Sequence, residues 1–402
     1  MKRHAERLCS AAALAALLPL PALAEAPAFK RSLDLSLEGT QYFHDAAYEG
    51  QRGNDDLSVS LGAELDYAVS RTTSLRFVPF ARWDVRDDER THADIRELSV
   101  RHRHGSFDVV AGISRVFWGT IESVHLVDVI NQTDLVEDLD GEDKLGQPLL
   151  SLGYSGSYGR IEAFVLPYFR ERTLPGVEGR LRAPQPYTRG EALYRSGAEE
   201  HHVDGALRYS LSRGALDLGL AHFSGTAREP GFVPLPTANG IALQPYYDQI
   251  EQTSIDASYV SGGWLLKLEA LHQNNHVEPY AAAAGGFEYS FTGVFEAGWD
   301  LGVLGEYLWD ERGLEGPSAF QNDVFVGLRL AGNDVASTEF LAGIAVDCDH
   351  RGRFASVEAS RRVGTSGKLS LELRTFASDD ERDPLLVFRR DDYLRVEYTH
   401  YF

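Results

Sequence analysis

In the stretch SLDLSLEG, Leu33, Leu35 and Leu37 alternate with Asp34, Ser36 and Glu38. LSVSLGAELDYAV repeats the pattern over a longer run. Leu57, Val59, Leu61, Ala63, Leu65 and Tyr67 share one parity; Ser58, Ser60, Gly62, Glu64 and Asp66 share the other. TSIDASYV and KLSLELRT obey the same rule. The chain closes on DDYLRVEYTHYF, with Leu394, Val396, Tyr398, His400 and Phe402 on one face and Arg395, Glu397, Thr399 and Tyr401 on the other. A period of two marks strands whose faces meet different surroundings. Apart from short turns near 120–140, no stretch gives a helical period. The pattern predicts an all-β chain.

The breaks between alternating runs come in two lengths. Short ones fall at Ser70–Thr73, His104–Ser106, Gly156–Gly159, Ser212–Gly214, Ser261–Gly263, Glu296–Gly298, Gly332–Val335 and Gly364–Gly367. Longer ones lie between them, near 44–55, 86–92, 116–148, 170–201, 225–248, 274–284, 310–322, 347–352 and 377–391. Short and long connections in strict alternation imply about eighteen antiparallel strands, with both termini on the short-turn side. That is the plan of a transmembrane up-and-down β-barrel, with short periplasmic turns and long extracellular loops. The last strand must then pair with the first, because an open sheet edge in lipid leaves backbone groups unsatisfied.

The aromatic residues fit this plan. Strands heading for the short turns end at Tyr67, Tyr154, Tyr209, Tyr259 and Phe402, which would form one interfacial girdle. Trp299 and Trp309 share one face of a single strand. At a tilt near 45° they are spaced roughly 23 Å along the membrane normal, against an apolar band of about 25 Å. Trp83 and Phe43 would join Trp309 in the upper girdle.

Composition sets the compartment. Lys2, Arg3 and Arg7 precede the apolar run AAALAALLPLPALA, which ends on Ala22, Leu23 and Ala24. This reads as a signal peptide over 1–24, leaving a barrel over 25–402 destined for the outer membrane. Cys9 would depart with the signal and leave Cys348 alone, so no intrachain disulfide is available. The formal net charge of −21, without any basic stripe, argues against nucleic acid as a partner.

A barrel of this size has a lumen wider than its wall side chains fill. The connection over 116–148 is the longest and most acidic, with Asp128, Asp134, Glu137, Asp138, Asp140, Glu142 and Asp143 against Lys144. It also carries Val124, Leu126, Val127, Val129, Ile130, Leu135 and Leu139, which a solvated loop would not need. It is expected to fold inward and constrict the pore. Arg76, Arg82, Arg101, Arg103 and Arg115 offer a basic wall, and the next loop adds Arg170, Arg172, Arg180 and Arg182, with Arg189 and Arg195 beyond them. Acid facing arginine across water would create a transverse field that selects polar solutes. The same charges could instead lock the loop to the wall. No metal or cofactor is expected: Val136 stands where a calcium loop of the DLDGED type would need its first ligand. A looser cation site at Asp138, Asp140 and Glu142 is the alternative. His201, His202, His272, His276, His350 and His400 come with neither a nucleophile elbow nor an HExxH pattern, so the chain does not read as an enzyme.

The alternation over the whole mature chain resembles Gram-negative porins. GISRVFWGTIESVHLVDVINQTDL is similar to a segment of a group of uncharacterised porin-like outer-membrane proteins, on Gly112, Trp118, Gly119, Ile130, Asn131 and Asp134. LPYFRERTLPGVEGRLR and RRDDYLRVEYTHYF add to that resemblance. Alginate-export barrels share the strand number and a charged lumen, but not their motifs. The resemblance implies a channel for passive diffusion of small polar or charged solutes, with cations weakly favoured by the excess acid. The alternative is a closed barrel acting as a structural or export-complex partner. The resemblance also implies contact with the lipid bilayer and lipopolysaccharide, recognition by the assembly machinery through Phe402, and scope for a homo-oligomer.

Overall fold

The computed structural model describes residues 29–402, except 239, 296–297 and 317. The segment read as a signal peptide lies outside them. Eighteen strands, from Phe29–Tyr42 to Tyr393–Tyr401, form one antiparallel sheet in which each strand pairs with its neighbours along the chain. The sheet closes on itself: Leu35 stands opposite His400 and Gln41 opposite Leu394. The Phe402 N–H continues the seam by donating to the Leu33 carbonyl.

Burial is inverted relative to a water-soluble protein. Leu35 is 42% exposed, whereas Glu38 on the opposite parity is 4% exposed. Ser36, Thr40, Ser58, Ser60, Asp84 and Arg82 are buried with Glu38, and Leu33, Leu37, Leu57, Leu61 and Trp83 are exposed. Such a surface suits lipid outside and polar groups inside. Tyr67, Tyr154, Tyr209 and Tyr259 lie on the outward parity at the short-turn end, with Tyr154 4.9 Å from Phe107. Trp264, absent from the sequence argument, sits at that end too, 4.7 Å from Tyr289. Trp299 and Trp309 share the outward face of their strand.

The connections follow the expected short–long alternation. One differs in content: the long segments after Leu166 and Thr226 build a three-stranded sheet of their own. Gly231–Thr237 pairs with Gly240–Tyr247, and Leu193–Tyr194 runs parallel to the latter. Pro234 and Pro236 make GFVPLPT read as loop, yet proline is tolerated there because Gly231–Thr237 is an edge strand. The connection after Asn274 is also shorter than expected, since Tyr280–Val294 already begins a strand.

Candidate functional site

The inward loop arises from short strands. Phe107–Ser114 has eight residues and Gln147–Gly156 ten, against fifteen for Tyr280–Val294. The chain therefore leaves the sheet early and runs through the lumen over 115–146, close to the expected 116–148. Asn131 ties both feet of the loop. Its carbonyl accepts from the Val116 N–H at 2.8 Å, and its amide donates to Ser114 O and Leu145 O at 2.9 and 2.8 Å.

The first half of the loop is seated by shape. Trp118 is buried edge-on against Phe164, with the Arg208 guanidinium over its ring. Val127, Val129 and Ile130 pack with Val110, Leu149 and Phe223 of the wall. Backbone N–H groups that the loop cannot satisfy itself are taken by two wall carboxylates. Glu269 accepts from Thr120, Ile121 and Val127. Glu306 accepts from the N–H groups of Glu122 and Ser123 and from the Ser123 hydroxyl. Gly119 has φ of +142°, and a Cβ there would lie 2.8 Å from Glu269 Oε1. Glycine gives this turn both its backbone conformation and its room for the carboxylate. Trp118, Gly119, Ile130 and Asn131, four of the six residues that carry the porin-like resemblance, thus belong to the seat of the loop.

The second half is pinned by charge. Arg82 donates to both oxygens of Glu137, and its Nη1 reaches Glu38 at 3.2 Å. Arg90 bridges Glu38 and Asp84 at 2.7 and 3.1 Å. Arg374 holds Asp138 and Asp140, and Arg395 holds Asp138 at 2.6 Å and Glu372 at 3.2 Å. Arg96 meets Asp143 at 3.0 Å, and Lys144 meets Asp128 at 3.1 Å. Asp134 accepts from the Thr173 hydroxyl at 2.7 Å. Burial raises the Asp138 carboxyl, but Arg395 and Arg374 together hold it well below the usual range. Burial and the adjacent Asp138 charge push Asp140 up to about 7. Glu142 is raised by burial and by Glu358 and Glu122.

Six of the seven expected loop acids are therefore in direct contact with cations or, for Asp134, with a hydroxyl and His92 and Arg96 at 3.7 and 3.5 Å. The arrangement is a loop–wall lock rather than acid and base separated by water. Asp140 and Glu142 are exposed, and Glu142 alone of the seven forms no ion pair among the described residues. The five wall arginines divide likewise. Arg82 belongs to the lock, Arg76 pairs with Asp66 and Glu97, and Arg115 pairs with Glu97. Arg101 and Arg103 are exposed, hold no ion pair among the described residues, and line a cavity of about 500 Å³ with Arg115, Arg160, Ser151 and Phe164. The arginines of the next loop fasten it to the wall and to other loops. Arg170 pairs with Asp94, Arg172 donates to Gln132, Arg180 pairs with Asp391, and Arg182 donates to backbone carbonyls.

Two cation sites can be weighed here. Asp138 and Asp140 already face Arg374, so the sequence alternative of a cation at Asp138, Asp140 and Glu142 would meet a guanidinium. His92, Asp134 and Glu137 present ligand atoms within 4.8 Å of one another. Arg82 and Arg96 lie against the same carboxylates and supply the positive charge. Sequence reasoning missed Glu38, Arg90, Glu269, Glu306, Arg374 and Arg395. A signal existed for most of them, since five are charged residues on the inward parity of a strand.

No protein-family model and no curated protein matches the chain. Among solved structures it is similar to OccD3 of Pseudomonas aeruginosa, at 9% identity and a TM-score of 0.53, over 92% of this chain and 91% of that one. It is also similar to Wzi, a carbohydrate-binding β-barrel involved in group 1 capsule assembly in Escherichia coli. That match has 9% identity and a TM-score of 0.50, over 91% of this chain and 83% of that one. At such identity the likeness is one of fold.

Proposed function

The chain has the closed eighteen-stranded barrel of the outer-membrane porins, and we propose that it works as a channel of that kind, passing small polar or charged solutes passively through a lumen narrowed by residues 115–146. The observation that carries this reading is the unpaired charge left inside. Arg101 and Arg103 line an open cavity on one side of the wall, and exposed Glu142 stands near Glu358 and Glu122 elsewhere. Residues that served only to fix the loop would be paired, as Asp138 and Glu137 are. Acid that is not locked, on Glu142, supports a weak preference for cations. The work is done by pore width and field, without catalysis.

In this reading the barrel sits in the outer membrane with its short turns in the periplasm. Its partners are lipid and lipopolysaccharide, with the C-terminal strand as the handle for assembly. A closed partner barrel is the second reading. It draws on the dense apolar seat of Val127, Val129 and Ile130, and on likeness to Wzi.

Planar-bilayer recording of the folded, purified protein separates the two. Stepwise current is expected, and Glu142→Gln should shift the reversal potential toward lower cation preference. A folded barrel without stepwise current would overturn the channel. Current with an unchanged reversal potential would remove Glu142 from selectivity.

A further inference from the structure

The cavity of about 500 Å³ beside Arg101 and Arg103 reaches from the short turn at Gly105 and Ser106 to the foot of the inserted loop at Ser114 and Val116. It therefore lies on the short-turn side of the constriction, against the seat of the loop. Arg101 and Arg103 enter it from the inward parity of the His92–His104 strand, which they share with buried Ser99. His102, between them, has the opposite parity, and its ring meets the Thr73 hydroxyl at 2.8 Å.

The acids at this cavity are already taken. Asp108 stands opposite Arg103 on the next strand, yet it accepts from Arg160, whose Nη2 donates at 3.1 Å. Arg160 also meets Glu162 at 2.9 Å. Arg115 meets Glu97 at 3.3 Å. Asp108 and Glu162 are the carboxylates that line the cavity among the described residues, and both are held by Arg160. Arg101 and Arg103 remain, both exposed and without an ion pair among the described residues. Positive charge therefore faces this space uncompensated.

Another part of the lining is apolar. Val110, Leu149 and Phe164 line the cavity and belong to the buried patch on which Val127, Val129 and Ile130 rest. A small inorganic anion would need only the guanidinium groups. Guanidinium groups beside an apolar wall suit a solute with an anionic head and an apolar body. The planar fork of arginine matches a carboxylate, which accepts two parallel N–H bonds from it. Cavities of this volume take organic molecules, with apolar lining supplying contact and a few polar groups fixing orientation.

We propose that Arg101 and Arg103 form a subsite for organic carboxylates, with Val110, Leu149 and Phe164 receiving the apolar body. Its role rests on the channel reading: the subsite holds such a solute on the short-turn side of the constriction. Calorimetric titration of the folded barrel in detergent with hexanoate tests the site without reading any current. Wild type should bind hexanoate, and the double variant Arg101→Gln, Arg103→Gln should bind it at least about tenfold more weakly. Neither side chain is paired, so the variant keeps the ion pairs of the fold. Arg213→Gln, which removes an exposed arginine at the same end of the barrel, should bind as wild type does. Acetate has the head without the body and should bind at least about tenfold more weakly than hexanoate. Hexylammonium has the body with the opposite charge and should not bind. Equal binding of hexanoate by wild type and the double variant overturns the subsite. So does absence of hexanoate binding by wild type, or acetate or hexylammonium binding as well as hexanoate. In planar bilayers a bound carboxylate offsets the charge of Arg101 and Arg103. Hexanoate should therefore move the reversal potential toward higher cation preference in wild type and not in the double variant. Hexanoate binding without stepwise current would leave the subsite standing and overturn the channel, and current without hexanoate binding would do the reverse.

Discussion

The two halves of the inserted loop are held in different ways. Residues 116–132 lie on an apolar patch of wall, and Glu269 and Glu306 collect their backbone N–H groups. Residues 133–146 hang on side-chain ion pairs to Arg82, Arg96, Arg374 and Arg395. A backbone N–H is present whatever the side chain and does not titrate. An ion pair needs the right charge on both partners and responds to proton and salt. Apart from the Glu122 pairs with Lys267 and Arg329 and the Asp128 pair with Lys144, the first half is therefore a fixed seat, and the second a latch whose strength depends on conditions.

The largest expected break is in the latch. Arg395→Ala leaves Glu38, Asp138 and Glu372 with less compensation in a buried setting, for a loss of about 3–5 kcal/mol in urea unfolding of the detergent-solubilised barrel. A loss under about 1 kcal/mol is the behaviour of solvated surface pairs, and would erase the distinction between the halves. Glu269→Ala comes next. It strands three loop N–H groups and should cost about 2–3 kcal/mol, with little dependence on salt. Glu269→Gln keeps an acceptor oxygen and should recover part of that loss; if it is as harmful as alanine, the carboxylate charge matters more than its acceptance of N–H groups.

The smallest effect is the pH response of Asp140. Its carboxyl is raised by burial and by Asp138 to about 7. A raised folded value favours the protonated form. That contribution to stability is complete below the unfolded value near 4 and is lost as pH rises through about 7. The unfolding midpoint should fall between pH 5 and pH 8, and Asp140→Asn should flatten the slope. An unaltered slope in the variant would assign the titration to another group and leave the latch without its pH response at this position.

Much of this was legible beforehand, for identifiable reasons. Alternation at Leu33–Glu38 and Leu57–Asp66 revealed the strands, because membrane and lumen act on successive side chains of one short segment. The acid and apolar content of 116–148 revealed an inserted loop. The partners within it were not legible. Arg374 lies 236 residues from Asp138, and Glu269 lies 149 from Thr120. The small sheet around Gly231–Thr237 stayed hidden behind its prolines.

The sequence by itself determined a wall: which residues face outward, where the chain turns, and which connection is too oily to remain in water. Those properties are local, since each depends on the few residues next to it and the medium on either side. Only the closed barrel decided that the acidic loop would meet guanidinium groups directly and that two wall glutamates would receive its backbone. Such contacts depend on which strands closure brings across the lumen from one another, and a period of two carries no record of that.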